Sequence, residues 1–275
     1  MPKSIGVVFA SIETNVQDIL AFLTTYQNTL QGTFEFRLLS CPDEDDFVDL
    51  LSRPEPPTHA QAAAEMPGFV SRIKAAQVAE ASDYGLSNEL IDKVVVLTGI
   101  RFSDNYYYVG NPKWAIIALG GWHRDFSPPS IVEYYLSILV TSALDALGAN
   151  IDRHYNTRGC IFDFNAALSD KRLSVLSGHI CPKCAATIEA HSGTDTLADA
   201  LILLKRSWLG TPGAPSEVAT TVKKLGYDLF HTTGVKPSLK ERLLSALEQE
   251  GLKNFLSITS QLLVAAALVI IGLKR

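Results

Sequence analysis

The chain has 275 residues, 47% of them hydrophobic and 19% charged, with a formal net charge of −5 and a pI near 5.7. That length suits one large domain or a domain with an appendage, and the apolar share suffices for a sizeable core. The acidic balance argues against nucleic acid as the main partner, because no basic patch supplies phosphate-neutralising charge.

The opening MPKSIGVVFASIE enters a strand-like run at once. It lacks the charged region, long apolar region and cleavage site of a signal peptide, so a cytosolic body is expected. Four cysteines in that compartment read as metal ligands or free thiols before they read as disulfides. Residues 5–10 predict a buried strand, 16–30 carry helical apolar spacing, and 34–39 alternate as a second strand. Residues 41–59, acidic and rich in proline, predict a surface loop. A helix is expected over 61–81, interrupted by Pro67. KVVVLTGI (93–100) and WAIIALGG (114–121) read as buried strands. This alternation predicts an α/β (α+β) domain with a mixed sheet.

Ser130 followed by Glu133 has capping-box spacing, and the run from there to Leu147 predicts a largely buried helix that stops at Gly148. Beyond Cys184 three helices are expected, over 196–210, 214–230 and 236–254. Residues 255–273 carry no charge. As a helix they would span about 28 Å, close to the roughly 30 Å of a bilayer core. Their first half is polar, but LLVAAALVIIGL is apolar on all sides. We expect a transmembrane anchor there, with a buried core or oligomer helix as the rival reading. Polar residues on such a helix allow self-association in the membrane, so a homo-oligomer is a second expectation. The expected organisation is a domain over 1–192, a helical connector over 193–254 and the hydrophobic helix over 255–273.

Residues 154–184, HYNTRGCIFDFNAALSDKRLSVLSGHICPKC, hold three of the four cysteines and two of the six histidines. Cys181 and Cys184 form a C-x2-C knuckle, whose spacing lets two sulfurs bind one tetrahedral zinc. Cys160 offers a third sulfur, and His154 or His179 a fourth ligand. His179 is favoured slightly, because SGH can turn locally toward the knuckle. A Cys3His set is closed and therefore structural, whereas a catalytic zinc keeps one position for water. A redox pair and buried free thiols are the competing readings.

This stretch resembles the archaemetzincins, zinc metallopeptidases that carry H-E-x-x-H-x-x-G-x-x-H, then C-x4-C-x-M, and later C-x2-C. His154 and Cys160 have the spacing of the third histidine and second cysteine, CIFDFNAALSD is similar to the segment that follows, and CPKC is similar to the closing pair. The specific likeness covers about 40 residues. It implies a metzincin-like fold and a structural zinc on Cys160, Cys181 and Cys184. The first cysteine position is Tyr155, so His179 or His154 would complete the tetrahedron. The catalytic motif departs from the family. No histidine here is followed by Glu. Aligned from His154, the helical positions fall on Leu144, Asp145 and Gly148; aligned from Gly148, they fall on Thr141, Ser142 and Asp145. Phe162 stands where the family has its methionine. A catalytic zinc needs about three protein ligands and a general base. The resemblance therefore implies a peptidase-like domain without its catalytic metal; joined to the expected anchor over 255–273, this gives a binding, sensing or signalling role on the cytoplasmic face of a membrane, with a soluble structural protein that buries its C-terminal helix as one alternative. The rival is a divergent zinc hydrolase using His154, Asp145 and His123, the last within GGWHRDFSPP.

Overall fold

A computed structural model describes residues 2–12, 14–42, 44–84, 90–120, 129–149, 151–155, 159–165 and 170–230. The chain divides into two units, Met1–Thr232 and Thr233–Arg275. The second unit, with the expected helices over 236–254 and 255–273, lies outside the described residues, as does His123. Among the described residues, no helix is long and apolar enough to cross a membrane.

The first unit is built on a five-stranded sheet in the order β2-β1-β3-β5-β4. Strands β1 (Lys3–Ala10), β2 (Phe34–Leu39), β3 (Lys93–Thr98) and β5 (Trp114–Ala118) are parallel, and the short β4 (Tyr108–Gly110) runs antiparallel along β5. Both faces are covered, which is why β3 is buried at every position and its sequence does not alternate. One face sets Ile5, Val7, Val95, Leu97 and Ile117 against α1 (Thr14–Tyr26) and α4 (Ile131–Asp145). The other sets Val8, Val94, Val96 and Ile116 against α2 (Asp46–Ser52) and α3 (His59–Asp83). The mixed α/β architecture agrees with the sequence reading.

Two local expectations are corrected. The acidic stretch 41–59 is not all loop, because Phe47 and Leu51, four apart, form a buried stripe on α2. Asp45 caps that helix through the Phe47 N–H and grips Arg72 at 2.6 and 2.8 Å. Pro67 does not break α3, which runs through it with the ring exposed on the outer face. In the first unit, Met1–Thr232, the core takes in helices on both sides of residue 192. Helix α5 (Lys171–Ser177) and α6 (Pro182–Ser192) are followed by α7 (Thr194–Lys205) and α8 (Glu217–Lys224), and Leu203, Leu204, Val218 and Val222 join the same core as α4. Buried Arg206 reinforces this, donating to Ser137 Oγ on α4 at 2.7 Å and to the Val175 carbonyl on α5 at 2.6 Å.

Helix α4 begins at the expected capping box, with Ser130 and Glu133 bonding each other's backbone N–H. Every residue from Tyr134 to Leu144 is buried. It lays one side on the sheet and the other on the cysteine-bearing segment.

Candidate metal centre and adjoining cavity

The segment after α4 folds into two isolated parallel bridges, His154 with Asp163 and Cys160 with His179. The first is made by His154 N–H to Phe162 O at 3.1 Å and Phe164 N–H to His154 O at 2.7 Å. The second uses Ile161 N–H to His179 O at 2.9 Å. Cys181 then caps α6, with Pro182 in its first turn, and Cys184 follows one turn in. Both knuckle sulfurs thus sit at a helix N-terminus, where the backbone dipole favours thiolates.

These elements bring His154, Cys160, Cys181 and Cys184 together. All four are buried, and one ligand atom from each lies within 4.8 Å of the others. His154 Nε2 is 3.1 Å from Cys184 Sγ and 3.2 Å from Cys181 Sγ. In a zinc tetrahedron, bond lengths of about 2.0–2.3 Å place neighbouring donors roughly 3.5–3.8 Å apart. His154 Nε2 needs to draw back from these two sulfurs by only a few tenths of an ångström, and three thiols with one imidazole suit zinc. This buried Cys3His cluster can hold one zinc ion. The Cys181 N–H also points at Cys160 Sγ, at 3.4 Å. A hydrogen bond with the Cys184 thiol, with help from the Cys181 and Phe162 backbone, brings the Cys160 thiol down to about 5 despite burial. The Cys184 thiol is pushed up by the same shared proton and by burial.

His179, favoured from the sequence, is not in this group. Its carbonyl holds Ile161, and its side chain is exposed. Cys41 is half-buried and remote in the chain, on the other core. Asp145, the expected carboxylate of a catalytic set, accepts from Tyr108 Oη at 2.9 Å and from Arg153 at 2.8 Å. Of the aligned helical positions, Thr141 donates to the Ser137 carbonyl, while Ser142 and Leu144 are fully buried.

Beside the cluster lies a cavity of about 290 Å³, walled by Tyr107, Tyr108, Ile138 and Phe164, with Arg153 and Lys171 among its lining residues. Asp104, Asp163 and Asn165 also line it. Asp163 Oδ2 accepts from the Cys160 N–H at 3.1 Å, and Asp104 is bound by His59 Nδ1 at 2.6 Å. Arg153 lies over the rings of Tyr108 and Phe162, at 5.8 and 5.4 Å. Lys171 is 3% exposed, and its Nζ donates to the Ile161 carbonyl at 2.6 Å. Burial, reinforced by the Arg153 charge, lowers its amine to about 7 against the pull of Asp163, Cys160 and Asp145. Sequence reasoning missed Arg153, Lys171 and the tyrosines. The run NYYYVG was the one visible cue, three aromatic residues together beside a strand.

Fold and site define an α/β domain carrying a closed Cys3His cluster. Two solved structures are similar to it. One is the archaemetzincin of Methanopyrus kandleri, 13% identical, with a TM-score of 0.43, covering 69% of this chain and 95% of that chain. The other is the archaemetzincin of Archaeoglobus fulgidus in complex with malonate, 12% identical, with a TM-score of 0.39, covering 67% of this chain and 99% of that chain. At such identity the likeness concerns the fold alone. No protein-family model matches the chain, and no curated protein matches it in sequence.

Proposed function

We propose that this chain is a zinc-stabilised binding domain without metallohydrolase activity, tethered to a membrane through residues 255–273 and facing the cytoplasm. The observation that carries the non-catalytic reading is the direction of the His154 ring. The cluster reading placed His179 ahead of this histidine, and the hydrolase reading gave a catalytic ion to Asp145 and His154. Its Nε2 lies against two cysteine sulfurs. One nitrogen cannot serve a closed four-ligand site and a separate catalytic ion together. Asp145, engaged by Arg153 and Tyr108, would have to release both to take a metal. The cavity next to the cluster supplies a place for a ligand, which is the part of the reading that concerns binding.

Metal analysis combined with a turnover assay tests this. One zinc per chain is expected, lost together with the cooperative fold in Cys181→Ser, and no cleavage of a peptide library. Two metal ions per chain, or cleavage abolished by Asp145→Asn, would overturn it.

A further inference from the structure

We propose that the cavity beside the zinc cluster binds an organic monocarboxylate with an apolar, preferably aromatic, body, its carboxylate held by Arg153 and Lys171. This rests on the reading of the chain as a binding domain and names the ligand class of its cavity.

The cavity's volume of about 290 Å³ lies at the lower end of small-molecule sites, which run from about 300 Å³ upward. Apolar atoms, led by the rings of Tyr106, Tyr107, Tyr108 and Phe164, make most of its exposed wall, which favours an apolar body for the ligand. The polar groups set the rest. Arg153 gives an N–H to Asp145 and lies over two aromatic rings, so its orientation is fixed while most of its five donors have no acceptor among the described residues. Lys171 has three donors and one acceptor, the Ile161 carbonyl. Both side chains line one largely apolar cavity, and a carboxylate accepts from both kinds of donor, with a fork geometry that suits guanidinium. A carboxylate bound beside Lys171 would favour the charged form of its amine. Asp163 and Asp104 on the wall limit the ligand to one negative charge and away from their side of the cavity. The exposed rings of Tyr106 and Phe164, 41% and 43% accessible, give an apolar way in.

The carboxylate could belong to a free acid or to the C-terminus of a peptide. Calorimetric titration of the zinc-loaded full chain separates these, using 3-phenylpropionate, N-acetyl-Ala-Phe and the neutral 3-phenylpropanamide at millimolar concentration. Both acids are expected to bind at least about tenfold more tightly than the amide. Tighter binding of the dipeptide would assign the peptide terminus, and of the simple acid a free metabolite. Arg153→Gln is expected to lose that preference, with Arg153→Lys intermediate. Lys171→Met, which removes a buried charge without a void, is expected to weaken the acids likewise should Arg153→Gln lose its zinc. Equal binding of acid and amide, or no binding by either acid while one zinc per chain is retained, would sink the proposal. That outcome is distinct from failure of the non-catalytic reading, which would show as a second metal ion or as turnover.

Discussion

Lys93 offers a sharp quantitative test of the electrostatics under the cavity. It opens β3, is fully buried, and its Nζ has no hydrogen-bond partner among the described residues. Desolvation lowers its amine from 10.5 to about 8, with Asp145 pulling it up and Arg153 pushing it down. That displacement corresponds to about 3 kcal/mol against the charged form in the folded state. Below pH 8 the amine is protonated in both states, and the fold carries the whole cost. Between pH 8 and 10.5 the folded chain gives up this proton while the unfolded chain keeps it. The unfolded state then binds more protons, so stability rises with pH through that window. Above 10.5 the cost is gone. Lys93→Met keeps the stem and removes the charge, and is expected to raise stability at pH 7 by about 1–3 kcal/mol. The gain should shrink toward zero by pH 10.5. Urea unfolding at saturating zinc, run on both proteins from pH 7 to 10.5, measures it; other groups titrate in this range, but the difference between the two proteins isolates Lys93. A variant less stable than the parent at pH 7, or a difference that does not change with pH, would refute the reasoning.

The remaining predictions concern the metal and the tether. His154→Ala is expected to lose bound zinc, and His179→Ala to retain it, when both are measured by metal analysis after dialysis; retention in the first and loss in the second would restore the sequence preference for His179. The full chain is expected to sediment with membranes and a chain ending at Asn254 to remain in the supernatant; identical partition of the two would leave residues 255–273 as a buried helix.

The fold was legible where burial is total. β1, β3 and β5 are covered on both faces, so their sequences are continuous apolar runs that need no partner to be recognised. Helix α4 was legible for the same reason, together with its capping box. Misreadings arose where local composition and tertiary burial disagree. DEDDFVDLL looks like a solvated acidic run, yet Phe47 packs against Phe69, ring centres 4.6 Å apart, and the helix buries its apolar stripe there. Residues 194–224 show amphipathic stripes, but a stripe states that a helix has an apolar side and not which core it joins. Leu203 and Leu204 join the core that contains α4.

The site divides along a similar line. The cysteines could be found because a knuckle and a third thiol are defined by residue type and spacing. The choice between His154 and His179 could not, because it depends on which way each ring points. The bridge of Cys160 with His179 uses the His179 backbone and turns its ring outward, while the bridge of His154 with Asp163 leaves the His154 ring on the sulfurs. That same bridge explains why metal and cavity belong together. Successive residues of extended chain point to opposite sides. His154 therefore faces the cluster while its neighbour Arg153 faces the cavity, and across the bridge Asp163 lines the cavity while bonding the Cys160 N–H. Lys171 closes the arrangement by holding the carbonyl of Ile161, the residue after Cys160. Arg153 is thus positioned by the segment that carries His154, and Lys171 is tied to the segment that carries Cys160. A zinc ion in this closed site would brace the segment that carries Arg153, adding to the hold that Asp145 gives Arg153 and the Ile161 carbonyl gives Lys171.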